Sequence, residues 1–193
     1  MPKVAPVVVG VSGASGAPIA LRVLRALQEA RRPTALVVSA GAANVLREEC
    51  AMSPADLAPL ATEVYEDTDL AAPIASGSVP TAGMAVVPCS SNTAAKIALG
   101  LGDTLLTRAA HVHLKERRRL VLVPRETPLS TLLLRHLTSL SEVGAVVLVA
   151  APAYYLRPRT IDDVTDYLAG KVLDHLGVAH RLYRGWRPGE KPG

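Results

Sequence analysis

Phenylalanine is absent from this 193-residue chain, and its aromatic residues amount to one tryptophan and five tyrosines. So few rings make a poor stacking surface for single-stranded nucleic acid. Only two cysteines occur, Cys50 and Cys89, and neither belongs to a CxxC pair. That excludes a disulfide scaffold and points to a reducing compartment. No apolar run approaches the roughly 20 residues that a membrane-spanning helix needs. The opening segment has Lys3 ahead of a valine-rich run, but a glycine turn follows at once. It reads as a first buried strand and not as a signal peptide. The expectation is a soluble, cytoplasmic protein with neither nucleic acid nor membrane among its partners. GxGxxG and the GxxxxGK phosphate loop are both missing, so a dinucleotide or ATP is not indicated.

What is present is a globular composition, 49% apolar and 20% charged, with a formal charge of +4. The mild positive excess suits an anionic small molecule. Apolar runs alternate with helical spacing. Residues 4–11, 34–39, 84–87, 120–123 and 145–149 read as strands, the first as a continuous valine-rich run buried on both faces. Residues 17–30, 42–50, 93–101, 129–140 and 161–176 read as helices, and a cationic helix precedes the strand at 120. Residues 51–82, with Pro54, Pro59, Pro73 and Pro80, show little regular pattern. Strand–helix alternation with short connections implies one α/β domain, a doubly wound, Rossmann-like fold with a mostly parallel sheet.

Three turns carry candidate chemistry. The first, Gly10 to Pro18 (GVSGASGAP), lets backbone amides approach a ligand and aims a helix N-terminus at an anion. It fits a monophosphate such as that of FMN, and equally a tight βα turn with no ligand. The second, Pro88 to Thr93 (PCSSNT), clusters hydroxyls and amides at a strand's carboxyl end. Cys89 there reads as a small packing residue, because nothing beyond a helix start would lower its pKa. The third is the PRETP turn, where Arg125 and Glu126 place a cation and an acid at a strand's carboxyl end, the usual ligand side of an open α/β sheet. The KERRR run at 115–119 reads as a solvated helix end with one or two functional members. Asp162, Asp163 and Asp166 match DDxxD, but Thr160 ahead of them makes a helix start the better reading. The five histidines show no metal-ligand spacing, so no metal is expected.

These segments together resemble the UbiX-type flavin prenyltransferases of the flavoprotein superfamily. The likeness rests on GVSGASGAP (10–18), Ser39 with Glu49, LAAPIASGS (70–78), GMAVVPCSSNTAAKIA (83–98), LLTRAAHVHLKERRRLVLVPRETPLS (105–130), PAYYLRPRTIDDVTDYLAGKVLDHLG (152–177) and Arg184 with Trp186. It implies a single FMN-binding domain over residues 1–193, with a tail from about 178 to 193 packing on a neighbouring subunit of a homododecamer. It implies transfer of a dimethylallyl group from dimethylallyl monophosphate to reduced FMN, at N5 and then C6. The prenylated FMN so made serves a partner decarboxylase. By the same resemblance, Gly13, Ala14, Ser15, Ser39, Ser90 and Arg125 hold the flavin. Arg108, Lys115, Arg125, Tyr155, Lys171 and Trp186 face the donor, and Ser15, Glu49, Lys115 and Glu126 are the catalytic set. Two positions depart from the family pattern: lysine stands at 171 for the usual arginine, and His111 for an aspartate. The alternatives are a flavin-dependent cysteine-type decarboxylase and a non-catalytic FMN-binding subunit.

Overall fold

The computed structural model describes residues 4–185. Six strands form one sheet: β1 (Val7–Val11), β2 (Thr34–Val38), β3 (Glu63–Glu66), β4 (Gly83–Cys89), β5 (Leu120–Pro124) and β6 (Val146–Val147). Their order is β3-β2-β1-β4-β5-β6, and every pairing is parallel. Val9 at the centre lies between Leu36 and Ala85. The strands of the middle are fully buried, as the unbroken valine runs require.

Alternate residues supply two cores. Val7, Val9, Val11, Ala85 and Val123 face α1 (Ala17–Glu29), α2 (Ala40–Cys50) and α6 (Ile161–Leu176). Val8, Met84, Val86 and Leu122 face α3 (Ser91–Ala98), α4 (Leu105–Lys115) and α5 (Thr131–Glu142). The helices start where their caps say they should. Thr160 accepts from the Asp163 amide, and the Asp163 carboxylate accepts from the amides of Arg159 and Thr160. The DDVTD run is thus the first turn of α6, and Asp166 within it pairs with Arg22 at 2.6 Å.

Several elements differ from the sequence expectation. β3 lies inside the segment that showed no pattern. It is an edge strand whose residues alternate between half-buried and exposed, and Glu63 and Glu66 mask it. β6, at the other edge, is only two residues long. The basic run does not continue α4, because Arg117 takes a left-handed conformation with φ 56°. Arg118 turns inward and donates to the carbonyls of Gly77 and Val79 at 2.6 and 2.7 Å, so it ties down a loop and is not solvated. Residues 178–183 also contact their own chain's α6, with Val178 buried in the core; residues 186–193 fall outside the described residues.

His113 is fully buried on α4, its Nδ1 bonded to the Ala109 carbonyl at 2.7 Å and its Nε2 to the Thr81 hydroxyl at 2.8 Å. Burial pushes its pKa below the usual 6.5; the Ala109 carbonyl pulls upward, and the Arg118 charge pushes down again. The unfolded chain therefore takes up this proton first. Stability from His113 is complete above about pH 6.5 and declines as pH falls below it. Urea unfolding followed from neutral to acidic pH is expected to show that decline, and His113→Gln is expected to make it shallower. An unchanged slope in the variant would remove His113 as its source.

Candidate active site

The strand order reverses between β1 and β4, so a crevice opens beyond their carboxyl ends. Ser12, 1% exposed, holds its two sides together. Its hydroxyl donates to the Pro88 carbonyl at 2.9 Å and accepts from the Ser90 amide at 2.7 Å. The only trace of Ser12 in the sequence is a hydroxyl directly after a buried valine run. Gly13, next along, lies backbone to backbone against Gly41, and a Cβ there would stand 2.9 Å from the Gly41 carbonyl carbon. Glycine at this point is needed for packing whether or not a ligand approaches.

Glu49, near the end of α2, reaches back to the start of α1. One carboxylate oxygen accepts from the amides of Gly16 and Ala17, each at 2.9 Å. The sequence reading aimed an external anion at this helix end. The structure puts the chain's own carboxylate there, which satisfies the first-turn amides and complements the helix dipole. Burial raises the Glu49 pKa, but hydrogen bonds from Ser15, Gly16 and Ala17 and the charge of Arg125 outweigh it and hold the group below its ordinary value. Ser15, Glu49 and Arg125 are therefore brought together. Ser39 caps α2 through its backbone and leaves its hydroxyl out of the cap. The Ser90 hydroxyl is committed to capping α3, accepting from the Thr93 amide at 3.1 Å. Its neighbour Ser91, not singled out from sequence, donates to Glu126 at 3.2 Å. Cys89 is 1% exposed and burial pushes its thiol up to about 12, as suits a packing residue.

The remaining cations lie elsewhere. α4 crosses back between two parallel strands, so it runs against them and its last residue, Lys115, sits at the amino end of the sheet. Lys115 neighbours Gly77 and pairs with Glu116, while the following Arg119 packs on Gly83 at the start of β4. β5 spans about 17 Å at roughly 3.3 Å per residue, and Glu126 lies beyond its far end. Arg108, on the same face of α4, donates to the Ala75 carbonyl at 3.3 Å. Tyr155, on a short turn ahead of α6, and Lys171, on α6, form a third patch beside Tyr167. Trp186 falls outside the described residues. Among the described residues no group of three His, Cys, Asp or Glu is placed to hold a metal ion, and no helix is long and apolar enough to cross a membrane.

A family model described as Flavoprotein matches residues 1–173. The flavin prenyltransferase UbiX of Thermoplasma acidophilum is 47% identical over 180 residues, 93% of this chain and 99% of that protein. The chain belongs to the flavin prenyltransferase family. Solved relatives agree. AnUbiX (PadA1), crystallised with FMN and dimethylallyl pyrophosphate, superposes with a TM-score of 0.94 at 40% identity, covering 96% of this chain and 99% of that one. A dodecameric FMN-dependent UbiX-like decarboxylase from Escherichia coli O157:H7 superposes with a TM-score of 0.92 at 43% identity, covering 94% and 99%.

Ser12→Ala is expected to cost about 1–3 kcal/mol, since it strands the Ser90 amide, while the Pro88 carbonyl keeps the backbone amide of residue 12. A urea midpoint equal to the parent's would show that the two strand ends do not depend on it. Cys89→Ser is expected to keep most activity; a loss beyond about a hundredfold, roughly 2.7 kcal/mol of barrier, would return the thiol to the reacting centre.

Proposed function

We propose that the protein joins the dimethylallyl group of dimethylallyl monophosphate to reduced FMN, at N5 and then C6, in the cytoplasm, and that its prenylated FMN passes to a decarboxylase. The observation that carries this reading is the meeting of Arg125, Glu49 and Ser15 at the switch-point crevice, with Glu126 beside them on the β5 turn.

The crevice suits FMN on its own chemistry. Ser39 offers a free hydroxyl at a helix start, the Gly13–Ala14 turn brings backbone close, and Arg125 adds a cation. With Ser90, these residues are the proposed hold on the flavin. Reduced FMN supplies the nucleophilic nitrogen and carbon. Lys115, Tyr155, Lys171 and Arg125, with Arg108, are proposed to surround the donor phosphate, where cations stabilise the negative charge that develops as the carbon–oxygen bond breaks, and Trp186 is proposed to pack as a wall of the prenyl pocket. Glu49, held ionised by its four partners, keeps Ser15 oriented toward the crevice. Glu126 is the exposed carboxyl at the mouth, with Ser91 fixing one oxygen and the other free to exchange a proton.

Lys115 and Glu126 lie at opposite ends of one chain's sheet, so both reach a single donor only when subunits assemble. That supports a homo-oligomer with the site at subunit junctions, the dodecamer of the solved relative being the proposed state.

Anaerobic incubation with reduced FMN and dimethylallyl monophosphate is expected to release a flavin heavier than FMN by one prenyl unit in the mass spectrum. Recovery of unchanged FMN would overturn the reading, and a parallel incubation with the diphosphate decides the donor. Lys115→Ala and Glu126→Gln are each expected to lose about a hundredfold or more in rate. Co-expressing the two is expected to restore part of it, because mixed oligomers contain junctions with both native residues. Absence of rescue in verified mixed oligomers would place both groups in one subunit's site.

A further inference from the structure

Beyond α6 the chain turns back along the helix. Gly177, with φ 68°, ends the helix, and Val178 is buried beneath it. Residues 180–183 then lie against α6, where three side chains meet on Asp174. Its Oδ1 bonds His180 Nε2 at 3.0 Å, and its Oδ2 accepts from Lys171 Nζ at 3.3 Å and from the Tyr183 hydroxyl. Both carboxylate oxygens are thus occupied. Burial draws the Asp174 pKa upward, yet the hydrogen bonds from Tyr183, His180 and Lys171 hold it below the ordinary value.

Gly170 is the second observation. A Cβ there would stand 2.5 Å from the Tyr183 ring and 2.8 Å from the His180 ring. Glycine in a helix interior is destabilising relative to alanine. Here it admits two rings that an alanine would push away. Tyr183 meets Tyr167 edge-on with centroids 5.1 Å apart, and Tyr167 stands beside both Tyr155 and Lys171. A continuous set of contacts therefore runs from Tyr155 through Tyr167 and Tyr183 to Asp174 and Lys171.

A lysine is a point charge on a flexible stem with many rotamers. Lys171 is 34% exposed, so without an anchor its ammonium would be spread over many positions. Asp174 and Tyr183 both engage the ammonium, which leaves one of its three hydrogens for a phosphate.

We propose that Asp174 is a positioning residue for donor binding: with His180 and Tyr183, seated on Gly170, it sets the Lys171 ammonium for the donor phosphate. This rests on the reading of Lys171 as a donor ligand. Asp174 touches neither substrate; it acts through Lys171. A purely structural Asp174 would lower stability and leave the donor KM alone. A carboxylate that merely competes with phosphate for the ammonium would, on removal, lower that KM.

The test is steady-state kinetics with varied dimethylallyl monophosphate at saturating reduced FMN, on Asp174→Asn, Lys171→Ala and the double variant. Asp174→Asn is expected to raise the donor KM roughly three- to tenfold, in the range of coupled neighbours, with kcat changed less than about twofold and FMN affinity unchanged. In the Lys171→Ala background it is expected to add nothing. Tyr183→Phe keeps the ring on Gly170 and removes only the hydroxyl, so a smaller rise in the same constant is expected even if Asp174→Asn folds poorly. A donor KM that is unchanged or lower in Asp174→Asn, or effects that multiply in the double variant, would overturn the proposal. If Lys171→Ala itself leaves the donor KM unchanged, the donor-ligand reading of Lys171 fails first, and that result is separate from the others.

Discussion

In a parallel sheet every crossover helix must run against the strands it joins. That rule places the last residue of α4 at one end of the molecule and the residues after β5 at the other. Lys115 and Glu126 are eleven positions apart in sequence, yet the full length of β5 separates them. No rearrangement within a folded subunit could join them without unpairing the middle of the sheet, where β5 is fully buried. The proposed sharing of the site between subunits rests on this strand direction.

Within one subunit the crevice is built by satisfying backbone before any ligand arrives. Ser12 closes the gap between the ends of β1 and β4. Glu49 answers the first amides of α1, and Ser90 those of α3. What remains uncommitted is small: the Ser39 hydroxyl, the exposed guanidinium of Arg125 and the open side of Glu126. A site preorganised in this way spends little conformational freedom on binding, because the groups that shape it are already held by one another.

The sheet and most helices were legible in the chain for a plain reason. Val7–Val11 and Gly83–Cys89 are buried on both faces, so their composition is uniform and distinctive. β3 was not legible, because an edge strand half in solvent carries acids like any loop. The motif residues at the crevice were readable as types, and Arg125, Ser15 and Glu49 do converge. The direction of Glu49 was not readable: a carboxylate 33 residues from the turn it caps leaves no local trace. The same holds for Arg118, which sits in a run of like charges and differs from its neighbours only in turning inward. Asp174 looked like one more helix-surface acid until the returning segment brought His180 and Tyr183 onto it.

The two thiols have a consequence of their own. Cys89 is enclosed with its pKa pushed up to about 12, and Cys50 is half-buried with its pKa raised by burial and by the charge of Glu49. Peroxide attacks thiolates far faster than thiols, and a reduced flavin that meets oxygen is a source of peroxide. A subunit that handles such a flavin while keeping both sulfurs protonated offers the oxidant little to react with. Its resistance to self-inflicted oxidation would then come from burial, without any protective enzyme or sacrificial residue.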